Sequence, residues 1–282
     1  MRQLIQPAFA AFALALATGE LRAQKQPDYA AAMHAAHAVE VPSASPAARI
    51  APRVPVVTDT VTYGTVNGRA IKGFLVKPAA GAPTGRAIIV VHEWWGLNDN
   101  IQAVAKRYAG EGYTVLAVDL FGRVATSADT AMVLYQTAMR NVAAGEQNLA
   151  AAIAYLKKAG ATSIGSVGYC FGGHWSLRTG LVGGDDVDAV VMYYGAPITA
   201  PAQLARLKAP VLGLFGGKDT GIPVDSVRAM ERAIVQSGRK ATINVYADAN
   251  HAFANPSGQA YNAAAAEDAW AKSLAFFKTH LK

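Results

Sequence analysis

One segment, GYCFGG at residues 168–173, has the residue types and spacing of a nucleophile elbow. Its Cys170 stands two residues from Gly168 and from Gly172, where only glycine leaves room for a sharp strand-to-helix turn. A helix that begins at Phe171 would direct free N–H groups at the sulfur, which favours a thiolate and can hold an oxyanion. The predicted chemistry is therefore nucleophilic attack by a thiol. The alternative is that a lone cysteine in an apolar stretch is a small core residue.

Two polar residues downstream could complete a catalytic triad. Asp219 follows the apolar run 210–215, and His251 follows the run 241–246. The chain order of nucleophile, acid and base is that of the α/β-hydrolases, in which histidine moves the proton and aspartate fixes its tautomer. Asp248 is a competing acid, but it lies only three residues before the base and has no strand end of its own. The structural alternatives are a turn aspartate at Asp219 and a surface histidine at His251.

Glu93 is a further candidate, because it follows the apolar run 86–91 at another predicted strand end. A carboxylate at that place could reach the thiol of Cys170. It would repel a thiolate, so we expect it to favour neutral sulfur until substrate moves or shields it. The alternative is an exposed loop carboxylate.

The elements that must position these residues alternate between strand and helix with short connections. The chain opens with two strands at 54–66 and 70–76, joined by Asn67-Gly68, which is a strong hairpin signal. Buried strands are then predicted at 86–91, 113–118, before the elbow, and at 187–194, 210–215 and 241–246. Helices are predicted between them and over 261–281. This pattern predicts an α/β fold of the α/β-hydrolase type: a mostly parallel, twisted sheet with helices on both faces and an N-terminal antiparallel hairpin.

The N-terminal region has a different character. Residues 1–23 carry Arg2, an apolar run over 9–17 and small residues before Gln24, which is typical of a secretory signal peptide cleaved after Ala23 or Ala17. An uncleaved membrane tether is the alternative. Residues 24–54 are rich in alanine, proline and serine and are expected to form a flexible leader or a weak helix ahead of a single domain at 55–282. We therefore expect an exported protein, periplasmic or secreted, with no stable membrane insertion after cleavage.

Composition narrows the classes of partner. The chain has 282 residues, a net charge of +7 and one cysteine, so Cys170 has no disulfide partner in its own chain. Loss of residues 1–23, with two arginines and one glutamate, leaves +6. The basic residues are scattered, which argues against a nucleic-acid surface and leaves attraction to anionic substrates open. We find no metal-ligand spacing and no phosphate loop, so no metal or cofactor is expected.

Together these segments resemble the dienelactone hydrolase family over about residues 55–280. The resemblance rests on GYCFGG at 168–173, HEWWGLN at 92–98, DLFGR at 119–123, Asp219 and HAF at 251–253. It implies a catalytic triad of Cys170, Asp219 and His251. It also implies that Glu93 accepts the thiol proton when substrate binds, and that the N–H groups of Trp94 and Phe171 form the oxyanion hole. Family members open an enol-lactone that bears a carboxylate, through an acyl-cysteine intermediate.

The substrate residues match the family less evenly. Arg123 corresponds to an arginine that binds the substrate carboxylate, but Asn255 stands where a second arginine is expected. The tryptophans Trp94, Trp95 and Trp175 could shape an apolar acyl pocket or belong to the core. The leading hypothesis is a monomeric, cysteine-dependent hydrolase of a small-molecule lactone or ester. The alternatives are a general carboxylesterase for neutral or bulkier esters, and a non-catalytic thiol redox or binding protein.

Overall fold

A computed structural model describes residues 29–38, 40, 43–81 and 84–282. In this part of the chain, eight strands form one sheet with the order β1-β2-β4-β3-β5-β6-β7-β8. The strands are β1 (Val56–Val66), β2 (Arg69–Pro78), β3 (Arg86–Val91), β4 (Thr114–Val118), β5 (Ser163–Tyr169), β6 (Ala189–Tyr193), β7 (Val211–Gly216) and β8 (Ala241–Tyr246). The pairs from β4 through β8 are parallel, whereas β1 and β2 are antiparallel to their neighbours. The predicted fold class is confirmed.

The helices alternate with the strands. They are α1 (Tyr29–His37), α2 (Asp99–Gly110), α3 (Ala128–Arg140), α4 (Val142–Lys158), α5 (Phe171–Gly183), α6 (Pro201–Leu204), α7 (Val224–Gln236) and α8 (Ala263–His280). The side chain of Asn98 caps α2 by accepting a hydrogen bond from the Ile101 N–H. The four-residue α6 and the helix α1 were not predicted as defined elements.

Helices cover both faces of the sheet, as two neighbouring residues of β5 demonstrate. Successive side chains of a strand point to opposite faces. A Cβ on Gly165 would meet the ring of Phe277 in α8, whereas the hydroxyl of Ser166 hydrogen-bonds that of Ser176 in α5. The helices α8 and α5 therefore lie on opposite faces. Strand β5 is buried along its whole length, as a central parallel strand must be.

The N-terminal hairpin forms where the sequence predicts it. Asn67 and Gly68 both have positive φ, at 49° and 75°, which suits the tight turn of a two-residue hairpin loop. The register of β1 on β2 shifts between Thr62 and Gly64. The hairpin extends the sheet beyond β4 and leaves the carboxyl ends of the parallel strands free to carry the site.

The signal-peptide prediction for residues 1–23 lies outside the described residues. Within the range 24–54, the structure has α1 and a 3-10 turn at Pro46–Ala48. Met33, Ala44 and Ala48 are buried against the domain. Between residues 29 and 282, none of the described helices combines the length and hydropathy needed to cross a bilayer.

Candidate active site

Cys170 occupies a strained turn between β5 and α5. Its φ is 55° and its ψ is −119°, a combination that a non-glycine residue adopts only when the surrounding structure enforces it. A Cβ on Gly172 would lie 2.2 Å from the carbonyl oxygen of Val91, and one on Gly168 would lie 1.9 Å from that of Gly172. Both glycines are therefore required by close backbone contacts. The turn holds the sulfur at the carboxyl end of the sheet.

His251 and Asp219 form a hydrogen-bonded pair. The Nδ1 of His251 lies 2.7 Å from Oδ2 of Asp219, and both side chains are buried. The other carboxylate oxygen, Oδ1, accepts hydrogen bonds from the N–H groups of Gly221 and Ile222 at 2.9 and 3.0 Å. The backbone thus fixes the carboxylate that orients the imidazole. Asp248, the competing acid, instead makes an exposed ion pair with Lys218 at 3.0 Å.

The imidazole of His251 also interacts with the thiol side. Burial lowers its pKa, but hydrogen bonds to Asp219 and to Cys170, with the charges of both, outweigh burial and raise the pKa to about 10. Protonated His251 is thus the favoured form near neutral pH. An imidazolium between a carboxylate and a sulfur is the arrangement that a thiolate nucleophile requires. The structure brings all three predicted triad residues together.

Glu93 is buried beside the same site. Burial, with a smaller contribution from the nearby charge of Glu40, raises its pKa to about 7, while His251 acts in the opposite direction. The Nδ2 of Asn255 donates a hydrogen bond to Oε2 of Glu93 at 3.1 Å. The sequence singled out both residues but did not pair them. Asn255 therefore orients a carboxyl group that can gain or lose a proton near neutral pH.

The backbone N–H groups of Trp94 and Phe171 follow the carboxyl ends of two neighbouring strands, β3 and β5. Phe171 is the first residue of α5, so its N–H has no acceptor within the helix. The N–H of Trp94 follows β3, and none of the described backbone groups accepts from it. His92 fixes this segment, because its Nδ1 lies 2.6 Å from the Glu93 carbonyl oxygen and its Nε2 accepts from the Leu120 N–H at 3.0 Å. Such donors are available for an oxyanion.

The remaining predicted residues differ in where they lie: Trp94 lines the void at Cys170, whereas Arg123 is exposed and Trp175 belongs to the core. The side chain of Arg123 is exposed and has no hydrogen bond or ion pair within the described residues. Trp175 is fully buried, and a Cβ on Gly145 of α4 would meet its ring at 2.2 Å, so this tryptophan joins α4 to α5 as core. Trp94 and Trp95 are buried with their ring centroids 5.0 Å apart. No three metal-ligating side chains cluster in the described part of the chain.

Sequence reasoning missed three residues that approach the site from the N-terminal region. The sulfur of Met33 lies 3.8 Å from Sγ of Cys170. The ring of His37 lies 6.1 Å from that of His251 and 5.2 Å from that of Trp94, measured between centroids. Glu40 contacts Nδ1 of His37 at 2.5 Å. The alanine-rich composition of this region carries no signal that would have placed it here.

A cavity of about 140 Å³ lies beside Glu93. Its lining includes Asn255, Tyr194, Arg107 and Trp270. Tyr194, with φ of 36°, packs edge-on to His251 at a centroid distance of 5.1 Å. The void at Cys170 itself has no room for a water molecule.

Comparison with known proteins gives the site its context. A sequence model of the dienelactone hydrolase family matches residues 71–281. The chain is 31% identical to Protein usf of Aquifex pyrophilus, over 76% of this chain and 96% of that protein. It is also 31% identical to the "Putative carboxymethylenebutenolidase" of Saccharolobus solfataricus, over 75% of this chain and 95% of that protein.

A solved structure agrees with these sequence matches. It is the "Putative Dienelactone Hydrolase" of Klebsiella pneumoniae subsp. pneumoniae, with 26% identity and a TM-score of 0.71. The alignment covers 80% of this chain and all of that one.

Proposed function

The chain belongs to the dienelactone hydrolase family and is a hydrolase of ester bonds; from the geometry of the site we propose that it works through an acyl-cysteine intermediate on Cys170. The observation that carries this proposal is the connected set of Asp219, His251 and Cys170, in which one buried imidazole interacts with both the carboxylate and the sulfur. A buried core cysteine has no need of such a pair.

Acylation begins from a thiolate and an imidazolium. The thiolate attacks the carbonyl carbon, a C–S bond forms, and the carbonyl electron pair moves to oxygen. The N–H groups of Trp94 and Phe171 stabilise that oxyanion. As the intermediate collapses, the bond to the leaving oxygen breaks and His251 gives that oxygen its proton. The products of this step are an alcohol or enol, an acyl-Cys170 and a neutral imidazole.

Deacylation reverses the roles. Neutral His251 takes a proton from water as the hydroxide portion adds to the acyl carbon. The second oxyanion collapses and expels the thiolate, which leaves a carboxylic acid and restores the imidazolium. Asp219 stabilises the imidazolium through its 2.7 Å hydrogen bond in both half-reactions.

Glu93 serves as the proton acceptor when the Cys170 sulfur is in its neutral form. Its pKa of about 7 allows it to exchange a proton at neutral pH, and Asn255 holds one of its oxygens. A permanently ionised carboxylate would oppose the thiolate, so burial of Glu93 favours the reactive state of the sulfur.

A carboxylesterase for neutral esters is the second candidate, and Asn255 favours it. Its amide is engaged with Glu93 and brings no positive charge to the place where the family resemblance expects a cation. Arg123 remains as an exposed cation for a substrate carboxylate. One arginine contributes roughly 1.5–3 kcal/mol to the binding of a substrate carboxylate through a charge-assisted contact. Carboxylate-bearing and neutral substrates therefore differ less in binding free energy than they would with two arginines.

The test is hydrolysis of dienelactone, p-nitrophenyl acetate and p-nitrophenyl butyrate by the wild type and by Cys170→Ala, with Asp248→Asn as a surface control. We expect Cys170→Ala to lose turnover of every substrate and Asp248→Asn to keep it. Preference for dienelactone supports the lactonase, and turnover of the neutral esters alone supports the carboxylesterase. Full activity of Cys170→Ala refutes the cysteine mechanism. Alkylation of Cys170 without turnover of any ester favours a thiol redox or binding protein.

Export is part of the proposal, because residues 1–23 have the pattern of a signal peptide. The expected location is the periplasm or the medium. Amino-terminal sequencing of the protein recovered from each cell fraction tests it: a start at Gln24, or at Thr18, supports export, and retention of Met1 in the cytosolic fraction contradicts it.

A further inference from the structure

The helix α1 (Tyr29–His37) lies directly over the predicted nucleophile. The sulfur of Met33 is 3.8 Å from Sγ of Cys170, and the side chain of Met33 is buried. The void that both residues line has no room for a water molecule, and Cys170 is only 2% exposed. An ester carbon must come within about 3.5 Å of the sulfur to react. Met33 occupies that position.

From this arrangement we propose that α1 is an intramolecular plug, which must leave the site before an ester can reach Cys170. The proposal rests on the proposed function insofar as Cys170 is the nucleophile. It adds a closed, inactive state of the same site, in which Met33 takes the place of the substrate acyl group.

The contacts of α1 are those of a segment that can detach. Nine residues are too few for a stable helix in water, so α1 depends on its contacts with the domain. One of these, the hydrogen-bond contact between Nε2 of His34 and Oδ1 of Asp129 at 2.8 Å, is exposed to solvent, and such a contact stabilises little. The Nε2 of the buried His37 has no hydrogen-bond partner among the described residues. A buried donor or acceptor without a partner disfavours the closed state and so assists opening.

The position that α1 vacates has a defined chemistry. Apart from Ala30 and Met33 of α1 itself, the void at Cys170 is lined by apolar and aromatic side chains: Trp94, Met132, Tyr135 and Phe171. The side chain of Met33 is itself unbranched and apolar, and it reaches to 3.8 Å from Sγ of Cys170. Once α1 departs, the pocket fits an unbranched apolar acyl group in the same place.

The experiment measures access to Cys170 in the full chain, by the second-order rate of alkylation with iodoacetamide. Met33→Ala removes the side chain over the sulfur, and Met139→Ala makes the same truncation in α3, outside the lining of the void. Ala35→Pro breaks α1 by its clash with the preceding turn, whereas Ala35→Ser changes the same exposed position without breaking the helix. Thermal unfolding of each variant verifies that the domain is folded.

We expect Ala35→Pro to raise the alkylation rate and kcat/KM for p-nitrophenyl acetate by about tenfold or more. The broken helix no longer buries the large apolar side chain of Met33, and the loss of that burial favours the open state. Met33→Ala should raise both by a smaller factor, and the two controls should match the wild type. Unchanged alkylation in both Met33→Ala and Ala35→Pro would overturn the plug. Lower hydrolysis in Ala35→Pro, with faster alkylation, would overturn it in favour of α1 as part of the substrate site.

Alkylation separates this proposal from the proposed function. Faster alkylation without hydrolysis by any variant means that the plug exists and the esterase mechanism fails. Wild-type alkylation rates in every variant, with Cys170-dependent hydrolysis, mean that the mechanism stands and the plug fails.

Discussion

Replacement of Asp219 by asparagine tests the His251 pair in isolation, because the two side chains have nearly the same shape. Asp219 accepts from His251 Nδ1 at 2.7 Å through one oxygen and is held by two backbone N–H groups through the other. A hydrogen bond to a charged group contributes about 1.5–3 kcal/mol. At 1.36 kcal/mol per tenfold step, its loss corresponds to a decrease of about 10- to 150-fold in rate, and to a fall of about one to two units in the His251 pKa.

The assay is kcat/KM for p-nitrophenyl butyrate across pH, with alkylation of Cys170 measured over the same range. The matched control is Asp248→Asn, three residues before His251, whose carboxylate is exposed and paired with Lys218. We expect the pH at which kcat/KM declines with imidazolium loss to move down in Asp219→Asn only, because His251 must carry a proton to protonate the leaving oxygen. A rate within twofold of the wild type, or an equal loss in Asp248→Asn, would refute the assignment of Asp219 as the orienting acid.

Three further predictions follow from buried contacts. The pKa of Glu93 is raised to about 7, so the folded state binds this proton more tightly than the unfolded state and stability falls as pH rises from about 4.5 to 7. Relative to Glu93→Gln, the free energy of unfolding of the wild type, measured by urea titration, should drop by about 3 kcal/mol between pH 4 and pH 8. A difference between the two proteins that does not change with pH would contradict the raised pKa. Asn255→Arg adds a cation beside Glu93, so the kcat/KM ratio of a carboxylate-bearing lactone to a neutral ester should rise about tenfold; a constant ratio would exclude this position from substrate recognition. Gly172→Ala places a Cβ 2.2 Å from the Val91 carbonyl oxygen and should lower the free energy of unfolding by about 3 kcal/mol, visible as a lower Tm.

Much of the fold could be predicted because the signals were local. Asn67-Gly68 between alternating runs specifies the hairpin, and the glycines around Cys170 specify the turn. Asp219 and His251 each follow an apolar strand, and parallel strands end at the same edge of a sheet. Local sequence together with this topological rule was therefore sufficient to bring the three residues together.

The remainder depends on contacts between distant segments. Glu93 and Asn255 come from loops that are 162 residues apart, and nothing in either loop indicates that one amide holds the other's carboxyl group. Met33 lies in an alanine-rich stretch whose docking is decided by the shape of the site above Cys170, 137 residues later. Periodicity and spacing report the structure of a segment but not the surface on which it settles.

The central claim, that Cys170 is acylated during turnover, is tested most directly by intact-protein mass spectrometry after rapid mixing with p-nitrophenyl butyrate and acid quench. The account predicts a mass gain of one butyryl group, located by peptide mapping on the peptide that contains Cys170 and absent from Cys170→Ala. Steady turnover with no adduct on that peptide after quenching within the first turnover, or an adduct on another residue, would contradict it.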